Sequence, residues 1–297
     1  MRVLVTGGAG FIGRQLVSSL LERGDDVTVV DLKERADEGV RHVQGDLRDP
    51  AVTAESLTEG TDAVVHLAAL TRVLDSIDDP DGVFRTNMLA THYLLERCRE
   101  LAVPTFVFAS TNAVVGDVGS AVISEQMPLH PLTPYGATKA AAENLLSAYS
   151  AVYGLKAVTL RFTNVYGRGM QVKDSVIARL MRAALSGGGI QIYGDGTQVR
   201  DYVYVSDVVN AIELAIALSE SDTLVIGSGE SVSMLELHRI TCEVTGADIG
   251  KEHVPGKPGE MPAVIVDNGH ARERGWHPEH DIRSGVEATW KDFLGAA

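Results

Sequence analysis

A chain of 297 residues, 45% hydrophobic and 22% charged, is long enough to bury a large core and to carry a smaller domain beside a main one. Its 26 basic against 40 acidic residues leave a net charge of −14, which argues against nucleic acid or an anionic membrane as principal partner; an anionic substrate must then be held by a few placed cations. No apolar stretch reaches the length of a membrane span, the first strand begins at residue 2 with no room for a signal peptide, and the isolated Cys98 and Cys242 suit neither zinc nor a disulfide framework. A cytoplasmic chain with buried free thiols and no metal is expected.

Arg2-Val3-Leu4-Val5-Thr6 is an apolar run suited to a buried strand, and helical spacing follows from Phe11 to Arg23 at Ile12, Leu16, Leu20 and Leu21. Between them runs Thr6-Gly7-Gly8-Ala9-Gly10-Phe11-Ile12-Gly13. In a strand, turn, helix setting, Gly7, Gly10 and Gly13 permit a sharp turn, close approach to a pyrophosphate and tight helix packing, while the helix start offers free N–H groups to the anion. Asp26 to Val30 reads as a second strand ending in Asp31, about 20 residues beyond the glycines. A carboxylate there accepts both ribose hydroxyls of NAD and repels the 2′-phosphate of NADP. Lys33 and Arg35 follow and read as a solvated loop face, so NAD is the favoured cofactor.

Further strand-like runs fall near residues 40–43, 62–67, 104–109, 156–161 and 223–226, with amphipathic helical stretches between most of them. Helices at about 84–101 and 135–153 are long, the second opening after Pro134. Beyond about residue 165 the pattern loosens into glycine-rich turns such as Gly187-Gly188-Gly189. The expected fold is α/β, a Rossmann-type doubly wound parallel sheet with a smaller C-terminal substrate-binding domain. Residues 1–165 would form the NAD-binding domain, with a return of about 190–222, and 166–297 mainly the substrate-binding domain.

Tyr135 and Lys139 stand four residues apart on one helix and share a face. An ammonium beside a phenol favours the phenolate, and a bound nicotinamide cation favours it further. Bringing a phenol from about pK 10 to near neutrality takes roughly 4 kcal/mol, within reach of two positive charges in a low-dielectric cleft. Tyr135 is thus a candidate general base toward an alcohol. Ser110 and Thr111 close the strand Thr105 to Ala109 at its C-terminal edge, where open α/β sheets bind ligands, and either hydroxyl suits a third catalytic position.

These residues resemble the extended short-chain dehydrogenase/reductase family, and within it the NAD-dependent nucleotide-sugar epimerases and dehydratases. The resemblance runs through Gly45-Asp46-Leu47-Arg48-Asp49, His66-Leu67-Ala68-Ala69, Thr86-Asn87, Ala109-Ser110-Thr111, Pro134-Tyr135 with Lys139, Leu160-Arg161-Phe162-Thr163-Asn164-Val165-Tyr166-Gly167, and Arg200-Asp201-Tyr202-Val203-Tyr204-Val205-Ser206-Asp207. It implies that Gly7, Gly10, Phe11, Ile12, Gly13 and Asp31 hold the cofactor, with Asp46 and Leu47 flanking the adenine. Leu67, Ala68 and Ala69 would line the path to the nicotinamide ribose, and Lys139 would also bond its hydroxyls. Thr111 would hold the reacting sugar hydroxyl beside Tyr135, while Asn164 and Arg200 contact the substrate diphosphate. Lys257 sits near an expected second phosphate-binding arginine.

Departures from the family pattern narrow the chemistry. Dehydratases of this kind carry Thr-Asp-Glu where this chain has Thr111-Asn112-Ala113, and decarboxylases tend to a glutamate at the Ala113 position. A small, inert pair instead resembles the 4-epimerases. The resemblance therefore implies an NAD-dependent nucleotide-sugar 4-epimerase of the UDP-glucose/UDP-galactose type, working through a transient 4-keto intermediate. A dehydrogenase or reductase, a dehydratase or decarboxylase, and an NAD-binding regulatory protein with a silent site are the alternatives. Val115 for the usual tyrosine, Arg168 for the usual proline and a short segment from Arg168 to Ser175 point to an unusual nucleotide and sugar pocket. Family members commonly dimerise through the two long helices, so a homodimer is expected, with Tyr93, Leu94, Leu145, Leu146 and Tyr149 as candidates for that surface; an intramolecular core explains the same pattern.

Overall fold

The computed structural model describes residues 1–34, 38–73, 75–256 and 263–295. Arg35 and Lys257, both named above, lie outside the described residues. Seven strands form one sheet in the order Asp222–Ile226, Lys156–Phe162, Thr105–Thr111, Ala63–His66, Arg2–Thr6, Asp26–Asp31, Val40–Gln44. They are the seven runs expected from sequence. The pairings from Val40–Gln44 through Thr105–Thr111 are parallel, with Thr6 opposite both Val30 and His66. Strands covered on both faces need continuous apolar runs, and Val3, Leu4, Val5, Val64, Val65, Phe106 and Phe108 are all 2% exposed or less. The strand order reverses beside Arg2–Thr6, the place where doubly wound sheets leave a crevice at their C-terminal edge.

Helix Phe11–Glu22 buries Gly13, Leu16, Val17 and Leu20. The expected long helix at 84–101 is interrupted: Pro80–Phe84 and Ala90–Glu100 are joined by one π-type turn, Arg85–Leu89. Such a turn inserts a residue and re-aims a side chain, here Asn87, which is buried. The second long helix is unbroken from Pro134 to Tyr153, with Pro134 in its first turn, Thr133 Oγ1 accepting from Gly136 N at 3.2 Å, and Gly154 at positive φ closing it. Leu94, Leu95, Phe106, Phe108, Leu146 and Tyr149 meet in one core cluster with Leu4 and Val64. Full burial of each such apolar side chain contributes about 1.5–3 kcal/mol.

The chain divides into two compact units, one of residues 1–117, 125–161 and 209–224, the other of 118–124, 162–208 and 225–297. Of the expected return at about 190–222, residues 190–208 fall in the second unit, where Gly189–Tyr193 pairs with Gly250–Val254 and Val199–Tyr204 with Asn164–Tyr166 and Ser231–Ser233. Among the described residues no helix is long and apolar enough to cross a membrane. Cys98 is buried as expected, its thiol pushed up by burial, but Cys242 is only half-buried, beside His238 on the preceding turn.

Candidate active site

In the first unit the glycine turn, the ends of three strands and the segment after His66 enclose a cleft of about 230 Å³. Gly7, Gly10, Asp31, Asp46, Leu47, Leu67, Ala68 and Ala69 line it, so most of the cofactor residues expected from sequence come together. Gly7 has φ +71°, and a Cβ there would stand 2.8 Å from Ala68 N; a Cβ on Gly13 would stand 2.3 Å from Gly7 O. Only glycine fits either position. Phe11, Ile12 and Gly13 form the first turn of the helix, and the positive end of the helix dipole there suits an anion. Asp31 reaches the glycine loop, accepting from Ala9 N at 3.1 Å and Lys33 N at 2.9 Å. A bare turn, a helix start and a carboxylate at the strand end fit a dinucleotide with free ribose hydroxyls. Asp46 is held by Arg48 Nη2 at 2.5 Å, and that guanidinium keeps its carboxyl below the usual range.

A chain of buried hydrogen bonds fixes the cleft lining. Ala68 N donates to Thr6 Oγ1 at 3.1 Å, Thr6 Oγ1 meets His66 Nδ1 at 2.7 Å, His66 Nε2 meets Thr91 Oγ1 at 2.9 Å, and Thr91 Oγ1 donates to Asn87 O at 2.6 Å. Because Thr91 spends its proton on Asn87 O, it accepts from His66 Nε2–H, and His66 Nδ1 accepts from Thr6. Burial, helped by the Lys139 charge, lowers the imidazole pKa to about 3 and so keeps it neutral, with its proton on Nε2. Asn87 continues the chain: it accepts from Leu70 N at 2.8 Å and donates to Leu70 O at 3.0 Å and Thr138 Oγ1 at 3.3 Å. The π-type turn thus ties the cleft segment to the helix that carries Tyr135.

At the end of strand Thr105–Thr111, three successive residues meet one stripe of helix Pro134–Tyr153. Lys139 Nζ donates to Ala109 O at 2.8 Å and lies 4.6 Å from the Phe108 ring centroid. Ser110 Oγ donates to Glu143 Oε1. Thr111 neighbours the Tyr135 hydroxyl and also accepts from Ala113 N at 3.2 Å. Of the two hydroxyls left open by sequence, Ser110 is thus committed to Glu143 and Thr111 faces Tyr135. Burial pushes the Tyr135 phenol up to about 12, the Thr111 hydroxyl offsetting only part, and pulls the Lys139 amine down to about 7 against the opposing pull of Glu143. Burial outweighs the expected lowering of the phenol. Reaching neutrality from 12 takes roughly 7 kcal/mol rather than 4.

The second unit holds a cavity of about 380 Å³ lined by Asn164, Tyr166, Ser175, Arg179, Gln191 and Arg200 among others. Asn164 and Arg200, expected to act together, do share it. Their carrier strands are pinned by Asp201, which is fully buried and accepts from Thr163 Oγ1 at 2.8 Å, Ser228 N at 2.9 Å and Gly229 N at 2.8 Å, while its carbonyl takes Asn164 Nδ2 at 2.8 Å. Arg179, ion-paired with Asp174 at 2.6 Å, brings a second guanidinium to the lining. Ser175 caps helix Val176–Ser186 without a cap bond, and its Oγ is buried with no partner. Neither Arg179 nor Ser175 belongs to the motifs read from sequence. Glu143 lies outside those motifs as well, although a carboxylate four residues after Lys139, behind Ala140-Ala141-Ala142, is the one charge on that stretch. Val115, in place of the usual tyrosine, is buried, and Arg168 lies 3.7 Å from Asp292.

Known proteins resemble this chain along its whole length. The UDP-glucose 4-epimerase of Corynebacterium glutamicum is 34% identical over 314 residues, covering 98% of this chain and 95% of the relative. Among solved structures, the UDP-glucose 4-epimerase of Thermotoga maritima with UDP-glucose superposes with a TM-score of 0.95 at 32% identity, covering 99% of both chains. That of Thermus thermophilus in complex with NAD gives 0.92 at 36% identity over the full length of both. The model of the NAD dependent epimerase/dehydratase family matches residues 3–227, a span that opens in the first strand and contains the glycine turn, Thr111, Tyr135, Lys139, Asn164 and Arg200. This chain is a member of that NAD-dependent family.

Proposed function

We propose that the protein is a nucleotide-sugar 4-epimerase of the UDP-glucose/UDP-galactose type with Tyr135 as catalytic base. The observation that carries this reading is the strand end, where Thr111, Tyr135 and Lys139 meet and the following turn, Asn112-Ala113, offers no carboxylate. Eliminating water needs an acid and a base beyond the tyrosine. Glu143, the carboxylate of this cluster, is committed to Ser110 and Arg161. What remains suits moving one proton and one hydrogen at a single carbon.

Gly7, Gly10, Phe11, Ile12 and Gly13 would hold the cofactor pyrophosphate, Asp31 its adenosine ribose, Asp46 and Leu47 the adenine, and Leu67, Ala68 and Ala69 the nicotinamide side. NAD, when bound, takes up and returns the sugar C4 hydrogen and adds positive charge near the phenol. Tyr135 accepts the proton of the sugar 4-hydroxyl and restores it to the same oxygen after the 4-keto sugar has turned. Thr111 orients that oxygen, and Lys139 bonds ribose hydroxyls while its ammonium favours the phenolate. Asn164 and Arg200 bind the substrate diphosphate, joined by Arg179 and the start of helix Val176–Ser186; Lys257, outside the described residues, is assigned to a further phosphate by the family resemblance alone.

The active form is a homodimer joined through Pro80–Glu100 and Pro134–Tyr153. Leu94, Leu146 and Tyr149 are buried within the protomer, so of the expected residues the half-buried Tyr93 and Leu145 remain for the joint, together with Phe84, Val152 and Tyr153, which are 52%, 69% and 55% exposed. A monomeric mass by light scattering would remove this part of the reading. Two free thiols accord with a cytoplasmic setting. The test of function is mass-resolved chromatography after incubation with UDP-galactose or UDP-glucuronate and catalytic NAD. An equal-mass isomer without accumulating NADH is expected; stoichiometric NADH or a lighter product would move the protein to the dehydrogenases, dehydratases or decarboxylases.

A further inference from the structure

Behind Tyr135 and Lys139 on the same helical stripe lies Glu143, four residues further on. It is 8% exposed, and its partners Arg161 and Ser110 are 5% and 4% exposed. Arg161 Nη2 donates to Oε2 at 2.7 Å, its Nε stands 3.2 Å from both oxygens, and its Nη1 donates to Glu125 O at 3.1 Å. Ser110 Oγ completes the set on Oε1. The carboxylate thus joins three elements: the helix of the catalytic pair, the strand that ends in Thr111, and strand Lys156–Phe162, which carries Arg161.

We propose that Glu143 is a positioning residue for the reaction: anchored by Arg161, it locks Ser110 so that Thr111 is held beside Tyr135, and its negative charge keeps Lys139 an ammonium inside the core. The proposal rests on the roles given above to Tyr135 and Lys139. Its first half follows from register. Ala109, Ser110 and Thr111 bond or face Lys139, Glu143 and Tyr135 in turn, so releasing the middle link frees the strand end that orients Thr111. Its second half follows from charge. Lys139 is 2% exposed and faces Tyr135 and Glu143 on its own helix, Ala109 O and the Phe108 ring on one strand, and neutral His66 on the next; Arg161 stands behind the carboxylate. Among these groups Glu143 is the negative charge. Burial otherwise favours the free amine, and the opposing influence of Glu143 is already visible in the Lys139 balance.

A buried ion pair broken on one side leaves an uncompensated charge, whereas replacing both partners by apolar groups of similar volume is tolerated. Two variants are therefore compared with the parent enzyme, Glu143→Gln and the double Glu143→Met/Arg161→Met, the second serving if the first does not fold. The readout is the titration of Lys139 by NMR of ε-carbon-labelled lysine in the full chain, its signal assigned by loss in Lys139→Met. The midpoint is expected to fall by about one pH unit, since an opposite charge close by is worth about one to three. A merely structural role loosens the packing, admits water and moves the midpoint upward toward the ordinary lysine value. An unchanged or raised midpoint in a folded variant overturns the proposal. A falling midpoint together with full turnover by Tyr135→Phe would leave Glu143 its effect on Lys139 and refute the catalytic reading instead.

Discussion

The cofactor cleft of the first unit and the polar cavity of the second are built by different means. The cleft is made of backbone and small or apolar side chains between Gly7 and Ala90, and its lining is fixed by fully paired buried groups: Thr6, His66, Asn87 and Thr91. The cavity is assembled from side chains of five separated segments, among them Asn164–Tyr166, Val176–Ser186, Gly189–Tyr193 and Val199–Tyr204, and its cations sit partly in water. A cradle made of backbone tolerates little change and holds its ligand in one pose. A cavity made of long polar side chains grips charge and leaves shape adjustable, which suits an enzyme that must hold a diphosphate firmly and let a sugar turn. Damage to the first region should therefore appear in kcat or in folding, and damage to the second in KM.

The sharpest separation comes from Tyr135→Phe. Removing a general base costs about a thousand-fold in turnover, and the bound NAD content should be unchanged by absorbance of the released cofactor; an active variant would break the assignment. Next in size is acid stability. The folded His66 titrates at about 3, below the usual 6.5, so the unfolded chain binds the proton first as pH falls. Its contribution is complete above about pH 6.5 and is lost progressively toward about 3, by roughly 3 kcal/mol at about pH 4.5. Denaturant titrations of wild type and His66→Gln across that window should show a slope that the variant lacks, and equal slopes would refute the neutral buried imidazole.

Arg200→Ala should raise KM about 30-fold, the value of a charged hydrogen-bond set, with kcat and NAD affinity little changed; a loss confined to kcat would contradict the division of labour between the two regions. The smallest effect concerns cofactor choice. Asp31→Ala should narrow the preference for NAD over NADP by about ten-fold, measured by competition binding, and unchanged discrimination would remove Asp31 from the ribose.

The same contrast between the two regions decides what is legible in the sequence. The central sheet strands can be read because strands buried on both faces spell continuous apolar runs, as in Val3-Leu4-Val5 and Ala63-Val64-Val65, whereas the edge strand Val40–Gln44 buries Val43 alone and shows only a short apolar alternation. The glycine turn is legible because only glycine fits at Gly7 and Gly13, and the Tyr135–Lys139 pair because helical spacing fixes its geometry. The π-type turn at Arg85–Leu89 is not, since one inserted residue leaves the helical pattern of its neighbours intact. Nor are Arg179 and Ser175, on or at the start of a helix whose place beside the cavity strands, distant in sequence, only the fold gives. The phenol of Tyr135 departs from expectation for a related reason: sequence shows the lysine one turn away, but not the burial that outweighs it.

In a 4-epimerase one hydrogen leaves the sugar C4 and returns to it within a single site. That is tested most directly with UDP-galactose carrying deuterium at C4, incubated in ordinary water with catalytic NAD and followed by mass spectrometry and NMR of the product. The expected product is the C4 epimer with its deuterium retained at C4 and no label released to solvent. An epimer whose C4 hydrogen has exchanged with water, or a product of altered mass, would contradict the single-site return of that hydrogen.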